Sequence, residues 1–293
     1  MSLLSLARTA LKRAGVDTTR TYQSISAASI RAALREQKLD SLARELRRAV
    51  PDLTDQYTHG FDRAEYERYW ECKMRGLHAF QVRLALDALE RIDGAGLVLA
   101  DIGDSSGNHA AYIHALAKSG KVTKTISVNL DPVAVDKIRA KGGEAIHCRA
   151  EELDLKGISP DLILSFETIE HLCDPVRFLH SLAGNGGAGH LLMTVPYRRV
   201  SRFGGEFLRR PEDTMPERLT AEDVHMFELS PDDWALLARF AGFKCVFSRT
   251  YLQYPRFHPL RLTKPLWRKL DFEGFFGMFL VRDPSLADRY ADW

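Results

Sequence analysis

Between residues 97 and 282, short apolar runs alternate with amphipathic stretches of about ten residues, and this alternation leaves few folds open. The runs fall at 97–102, 125–128, 144–148, 161–166 and 190–195, with helical patterns at 107–118, 132–140 and 175–182 between them. Near-continuous apolar strands separated by helices describe a parallel sheet buried on both faces. Right-handed crossovers then favour a doubly wound α/β sheet. A further helix at 231–241 and strands at 245–250 and 275–281 complete a mostly parallel, seven-stranded sheet.

Residues 1–92 have a different character, helical almost throughout. Apolar residues at Ile30, Leu34, Leu42, Leu46 and Val50 predict one helix over 29–50, ended by Pro51. A second is expected over 62–92. The chain is therefore expected to divide into a helical cap (1–92) and an α/β domain (93–293). Hydrophobic residues at 45% and charged residues at 27% of 293 exclude a disordered chain. No apolar run approaches the ~18 residues needed to cross a bilayer. Four scattered cysteines with no Cys-x-x-Cys pair exclude a zinc ribbon and point to a reducing, cytoplasmic setting. The first 15 residues carry Arg8, Lys12 and Arg13 and no acid, a basic amphipathic segment that leaves peripheral membrane contact open.

In an open α/β sheet, ligands sit at the carboxyl ends of the strands. The first run ends in Asp101-Ile102-Gly103-Asp104-Ser105-Ser106-Gly107. Glycines there let the backbone approach a ligand, and Asp101 can accept hydrogen bonds from an amine. Ser105 and Asn108 break the dinucleotide fingerprint Gly-x-Gly-x-x-Gly.

Over residues 75–282 the order of segments resembles the class I S-adenosylmethionine-dependent methyltransferases, whose fold is Rossmann-like. Asp101, Gly103 and Gly107 match the family's acidic, glycine-rich loop, with Ser105 replacing the middle glycine. The family's ribose-binding acid falls at Asn129, with Asp131 two residues on. Ala150 and Glu151 match its adenine-side segment. The segment from Asp161 through Glu167, Glu170, His171, Asp174 and Pro175 is the most specific match, followed by Val195-Pro196 and Gly242-Phe243. The resemblance implies S-adenosylmethionine as cofactor, held by Asp101, Gly103, Ser105, Gly107, Asn129, Asp131, Ala150, Glu151 and Glu167.

Methyl transfer needs alignment and a base for the acceptor. An imidazole suits that task at neutral pH, which makes His171 the candidate base, Glu170 its orienting partner and His225 a residue facing the acceptor. This is the pattern of sugar and quinone O-methyltransferases. Glu167, Glu170, His171 and His225 also resemble the divalent-metal set of RNA ribose 2′-O-methyltransferases, a competing expectation. A catalytically inactive scaffold is the third. Arg198, Arg199, Arg202, Arg209 and Arg210, in a basic insert at about 197–224, together with the basic stretch 256–269, suggest a small or glycan-linked anionic acceptor. A formal net charge of +2 argues against nucleic acid. His59, His78, His109 and His114 are expected on surfaces or helix faces, and Tyr57 as an aromatic roof over the cofactor. Oligomeric state is left open.

Overall fold

A computed structural model describes residues 17–56, 62–184, 189–205, 207–217, 219–220 and 224–290. The basic segment at 1–15, Tyr57 and His59 lie outside them. The strands are β1 (Leu97–Ile102), β2 (Val122–Asn129), β3 (Glu144–His147), β4 (Leu162–Phe166), β5 (His190–Pro196), β6 (Arg202–Phe203), β7 (Phe227–Glu228), β8 (Phe243–Leu252) and β9 (Gly274–Arg282). Seven form one sheet in the order β3-β2-β1-β4-β5-β9-β8. Neighbours from β3 to β5 run parallel; β9 is antiparallel to both β5 and β8. The strand order reverses direction between β1 and β4, which opens a crevice at their carboxyl ends. This is the Rossmann-like doubly wound sheet that the alternation predicts. β6 and β7 form a separate two-stranded ribbon.

Helices α1 (Thr18–Glu36), α2 (Asp40–Ala49) and α3 (Glu71–Leu89) lie on one face of the sheet. Leu46, Leu77 and Leu84 share a core with Leu99, Leu164, Leu192 and Phe279. On the other face, helices α6 (Pro175–Gly184) and α7 (Pro231–Phe240) bury Phe178 and Trp234 against Ile163, Met193 and Met278. Helices α4 (Asn108–Leu116) and α5 (Pro132–Ala140) connect β1 to β2 and β2 to β3. Gly277 of β9 admits the close approach of α3, because a Cβ there would stand 2.4 Å from Leu84 Cδ1.

The single helix expected over 29–50 is two helices. Lys38 takes the left-handed conformation, φ 57°. The Leu39 N–H bonds back to the Leu34 carbonyl and the Lys38 N–H to that of Arg35, a Schellman stop. Lysine instead of glycine at that position hides the stop from sequence. The Gln37 side chain then donates to the Leu252 carbonyl and accepts from the Leu252 N–H, tying the break to β8. α3 is preceded by a π-helical stretch, Tyr66–Trp70.

Candidate active site

The carboxyl ends of β1, β2 and β4 surround a cavity of about 340 Å³. Its wall carries Asp101, Gly103, Ser105, Asn129, Ala150, Glu151, Glu167 and His171 among the residues singled out from sequence. Gly107, Asp131, Glu170 and His225 do not line it.

The loop after β1 is shaped by its own polar groups. Gly103 has φ 90°, and a Cβ there would lie 2.1 Å from Thr168 Oγ1, so only glycine fits. Asp104 is buried, and its Oδ1 accepts the N–H groups of Ser106 at 3.1 Å and Gly107 at 2.9 Å. Its Oδ2 accepts the Ser127 hydroxyl at 2.6 Å. Asn129 Nδ2 donates to the Asp104 carbonyl, and its Oδ1 accepts the Asp131 N–H. The Asn129 side chain is therefore a strut between two loops as well as part of the cavity wall. Asp131 accepts the Val133 N–H as the N-cap of α5, which takes it away from the cavity. Gly107, likewise outside the lining, is the left-handed N-cap of α4.

Asp101 is 1% exposed, and its Oδ2 has no hydrogen-bond partner among the described residues. The nearest charge is the His109 ring, 3.3 Å away. Burial and the neighbouring Asp104 push the Asp101 carboxyl up to about 6. Burial would lower the His109 imidazole, but the Asp101 carboxylate outweighs it and raises it. His109 Nε2 meets Gln81 Oε1 at 3.0 Å, and Gln81 Nε2 donates to Thr194 Oγ1 at 3.0 Å. This chain links α4, α3 and β5. His78, also buried, packs edge-on against His109 with ring centroids 5.0 Å apart. His78 and His109 are thus interior cavity residues, not surface ones: the N-terminal helices cover the crevice, and sequence gives no sign of which of their faces looks inward. Gln56, Met74 and Leu77 join the wall for the same reason. Asp104, Gln81 and Met74 carry no motif; only the acid inside the β1 loop could have been singled out.

At the far wall, Glu167 directly follows β4 with φ 51°, an unusual conformation for a non-glycine residue and one that recurs at functional sites. Burial pushes its carboxyl up to about 8. Glu170 is 1% exposed, neither carboxylate oxygen has a hydrogen-bond partner among the described residues, and burial together with Glu167 drives it well above the usual range. His171 Nδ1 lies 3.0 Å from the Val224 carbonyl, and its Nε2 4.0 Å from Glu170 Oε1. The His225 ring stands edge-on to His171 at 4.6 Å. Its Nδ1 meets Glu228 Oε1 at 3.2 Å. Burial opposes ionisation of Glu228, but His225, Arg202 and Arg198 hold its carboxyl at about 2. Glu170, His171 and His225 each offer a ligand atom within 4.8 Å of the others; Glu167 falls outside that trio.

The insert arginines, expected to await an anionic acceptor, mostly have internal partners. Arg198 and Arg202 pair with Glu228, Arg199 with Glu273, and Arg209 donates to the carbonyls of Phe203 and Gly204. The N–H groups of Gly204 and Gly205 donate to the carbonyls of Met226 and His225 beside the β6–β7 ribbon.

Residues 100–184 match the methyltransferase domain family. Fold and loop order over these residues are similar to those of the class I S-adenosylmethionine-dependent methyltransferases. Two Mycobacterium tuberculosis proteins, MT3114 and Rv3030, each described as a probable S-adenosylmethionine-dependent methyltransferase, are 29% identical over 123 residues. That alignment takes in 41% of this chain, and the chain spans only 40% of the length of these relatives. In fold, the chain is similar to a protein solved with the Trm112 methyltransferase activator of Haloferax volcanii. The TM-score is 0.51 at 16% identity, over 75% of this chain and 97% of that one. The cavity suits the cofactor of this class on its own terms, since the buried Asp101 carboxylate on its wall, met by His109 at 3.3 Å, has capacity to accept from an amino-acid ammonium as well.

Proposed function

We propose that this chain methylates a hydroxyl of a small or glycan-linked acceptor, using S-adenosylmethionine. The observation that carries the proposal is that a buried carboxylate, Asp101, and an imidazole, His171, stand on the wall of the same cavity. When bound, the cofactor supplies an electrophilic methyl group on a sulfonium. Asp101 would accept from its ammonium, the Gly103–Gly107 turn would give the backbone a close approach, and Ala150 and Glu151 would border the adenine side. Asn129, already braced, offers the ribose an amide without the charge assistance of the family's acid.

His171 is the base. The Val224 carbonyl can only accept, so Nδ1 carries the ring proton and Nε2 the lone pair. Nε2 takes the acceptor's hydroxyl proton as the oxygen attacks. Glu170, neutral by burial, holds a polar edge beside that nitrogen. Calorimetry with S-adenosylhomocysteine tests the cofactor assignment: binding is expected, and its absence removes the proposal. Assays of His171→Ala against a hydroxylated acceptor library test the base.

A second reading rests on Glu170. A buried carboxyl with no hydrogen-bond partner is either protonated or countered by a cation, and both neighbouring imidazoles have their outer nitrogens held by oxygen, the outer-shell arrangement of metal ligands. A divalent cation on Glu170, His171 and His225 would activate the same hydroxyl. Activity lost on chelation and restored by a divalent metal selects this reading; activity indifferent to chelator selects the imidazole acting as base without a metal.

A further inference from the structure

A second cavity, about 580 Å³, opens near the carboxyl end of β8. Arg199, Arg256, Arg261 and Lys264 line it, with Tyr197 and Tyr254 between them. Arg199 is engaged by Glu273. Arg256, Arg261 and Lys264 make no ion pair with any acid among the described residues; Lys264 Nζ stands 5.9 Å over the Tyr254 ring. At the rim, the Glu36 carboxylate accepts from the backbone N–H groups of Arg256 and Phe257. Four cations around one concave space outnumber the Glu36 and Glu273 carboxylates that border it and create a site for an anion, and guanidinium forks match phosphate oxygens.

The same segment exposes two large apolar side chains, Phe257 at 87% and Leu262 at 79%. Large apolar groups standing out of a basic surface combine the two forces that hold proteins to anionic lipid, apolar insertion and attraction to headgroup phosphate. β8 runs parallel to β5, since both are antiparallel to β9, so the cavity opens on the same edge of the sheet as His171.

We infer that this cavity binds the phosphate ester of an amphiphile, with Arg256, Arg261 and Lys264 on the phosphate and Phe257 and Leu262 in its apolar part. The inference does not depend on methyl transfer, because binding is measured without cofactor. The full chain is sedimented with phosphatidylcholine vesicles containing 30% phosphatidylglycerol and with pure phosphatidylcholine, and titrated calorimetrically with glycerol 3-phosphate. Binding is expected to the anionic vesicles only. The double variant Arg261→Gln/Lys264→Gln should lose it about thirtyfold, at roughly fivefold per cation. Phe257→Ser/Leu262→Ser should lose vesicle binding although it leaves every cation of the cavity in place. Phe257, Arg261 and Leu262 are exposed and Lys264 is half-buried, and matching thermal unfolding curves confirm that the variants fold. Indifference to lipid charge, an Arg261/Lys264 variant that binds like the wild type, or binding to glycerol phosphate without vesicles each overturns the inference.

Discussion

Replacing Asp104 tests whether the cofactor loop is shaped by one buried carboxylate. In Asp104→Ala, the Ser106 N–H and the Ser127 hydroxyl lose their acceptor where water cannot reach, and the Gly107 N–H loses its partner in a partly open position. Each buried donor left unmade costs roughly 1–3 kcal/mol, so the two enclosed ones together amount to about 4 kcal/mol, with little added by Gly107. Asp104→Asn should behave differently. Its amide oxygen keeps both backbone N–H groups, and the Ser127 hydroxyl can turn to accept from the amide nitrogen. Only the charge assistance goes, a loss of roughly 1–2 kcal/mol. Urea unfolding by linear extrapolation reads both numbers. Calorimetry with S-adenosylhomocysteine reads the loop itself, where the alanine variant should bind at least tenfold more weakly than the asparagine variant. Equal stability of the two variants would refute the argument, because it would mean that the three hydrogen bonds do not hold the turn.

Three more outcomes are expected. Gly103→Ala forces a side chain into φ 90° and onto Thr168, and should cost about 2 kcal/mol or more in unfolding free energy along with cofactor binding. Glu167 has its carboxyl at about 8 in the folded chain against 4.5 ordinarily, so its protonation stabilises the fold fully below about pH 4.5, an advantage lost as pH rises through 8. Glu167→Gln should therefore gain on the wild type with rising pH, by on the order of a few kcal/mol at pH 9, in cofactor-free denaturation; parallel curves would contradict the burial argument. His171→Ala should lower kcat by about 10²–10⁴-fold with little change in S-adenosylhomocysteine affinity, as measured by single-turnover transfer and calorimetry.

The sequence by itself determined the sheet. Five apolar runs spaced by helices of about ten residues leave little choice but parallel strands with crossovers, and the same spacing carried Asp101, Asn129, Ala150 and His171 to the carboxyl edge. These properties are periodic or local, and survive without knowledge of neighbours. What only the tertiary structure decided were the partners. Asn129 and Asp131 look interchangeable two residues apart, yet one faces the cavity and the other caps α5. Lys38 ends a helix where its composition promises continuation. His78 and His109 pass for helix-face residues until α3 lies across the crevice. The arginines of the insert read as one basic patch, but three of them meet Glu228 or Glu273, residues distant in sequence, whereas Arg256, Arg261 and Lys264 meet no such acid among the described residues. A charge on the chain has a sign; whether that charge is still available depends on what folding brings within about 4 Å of it, and that distance is not written in any local pattern.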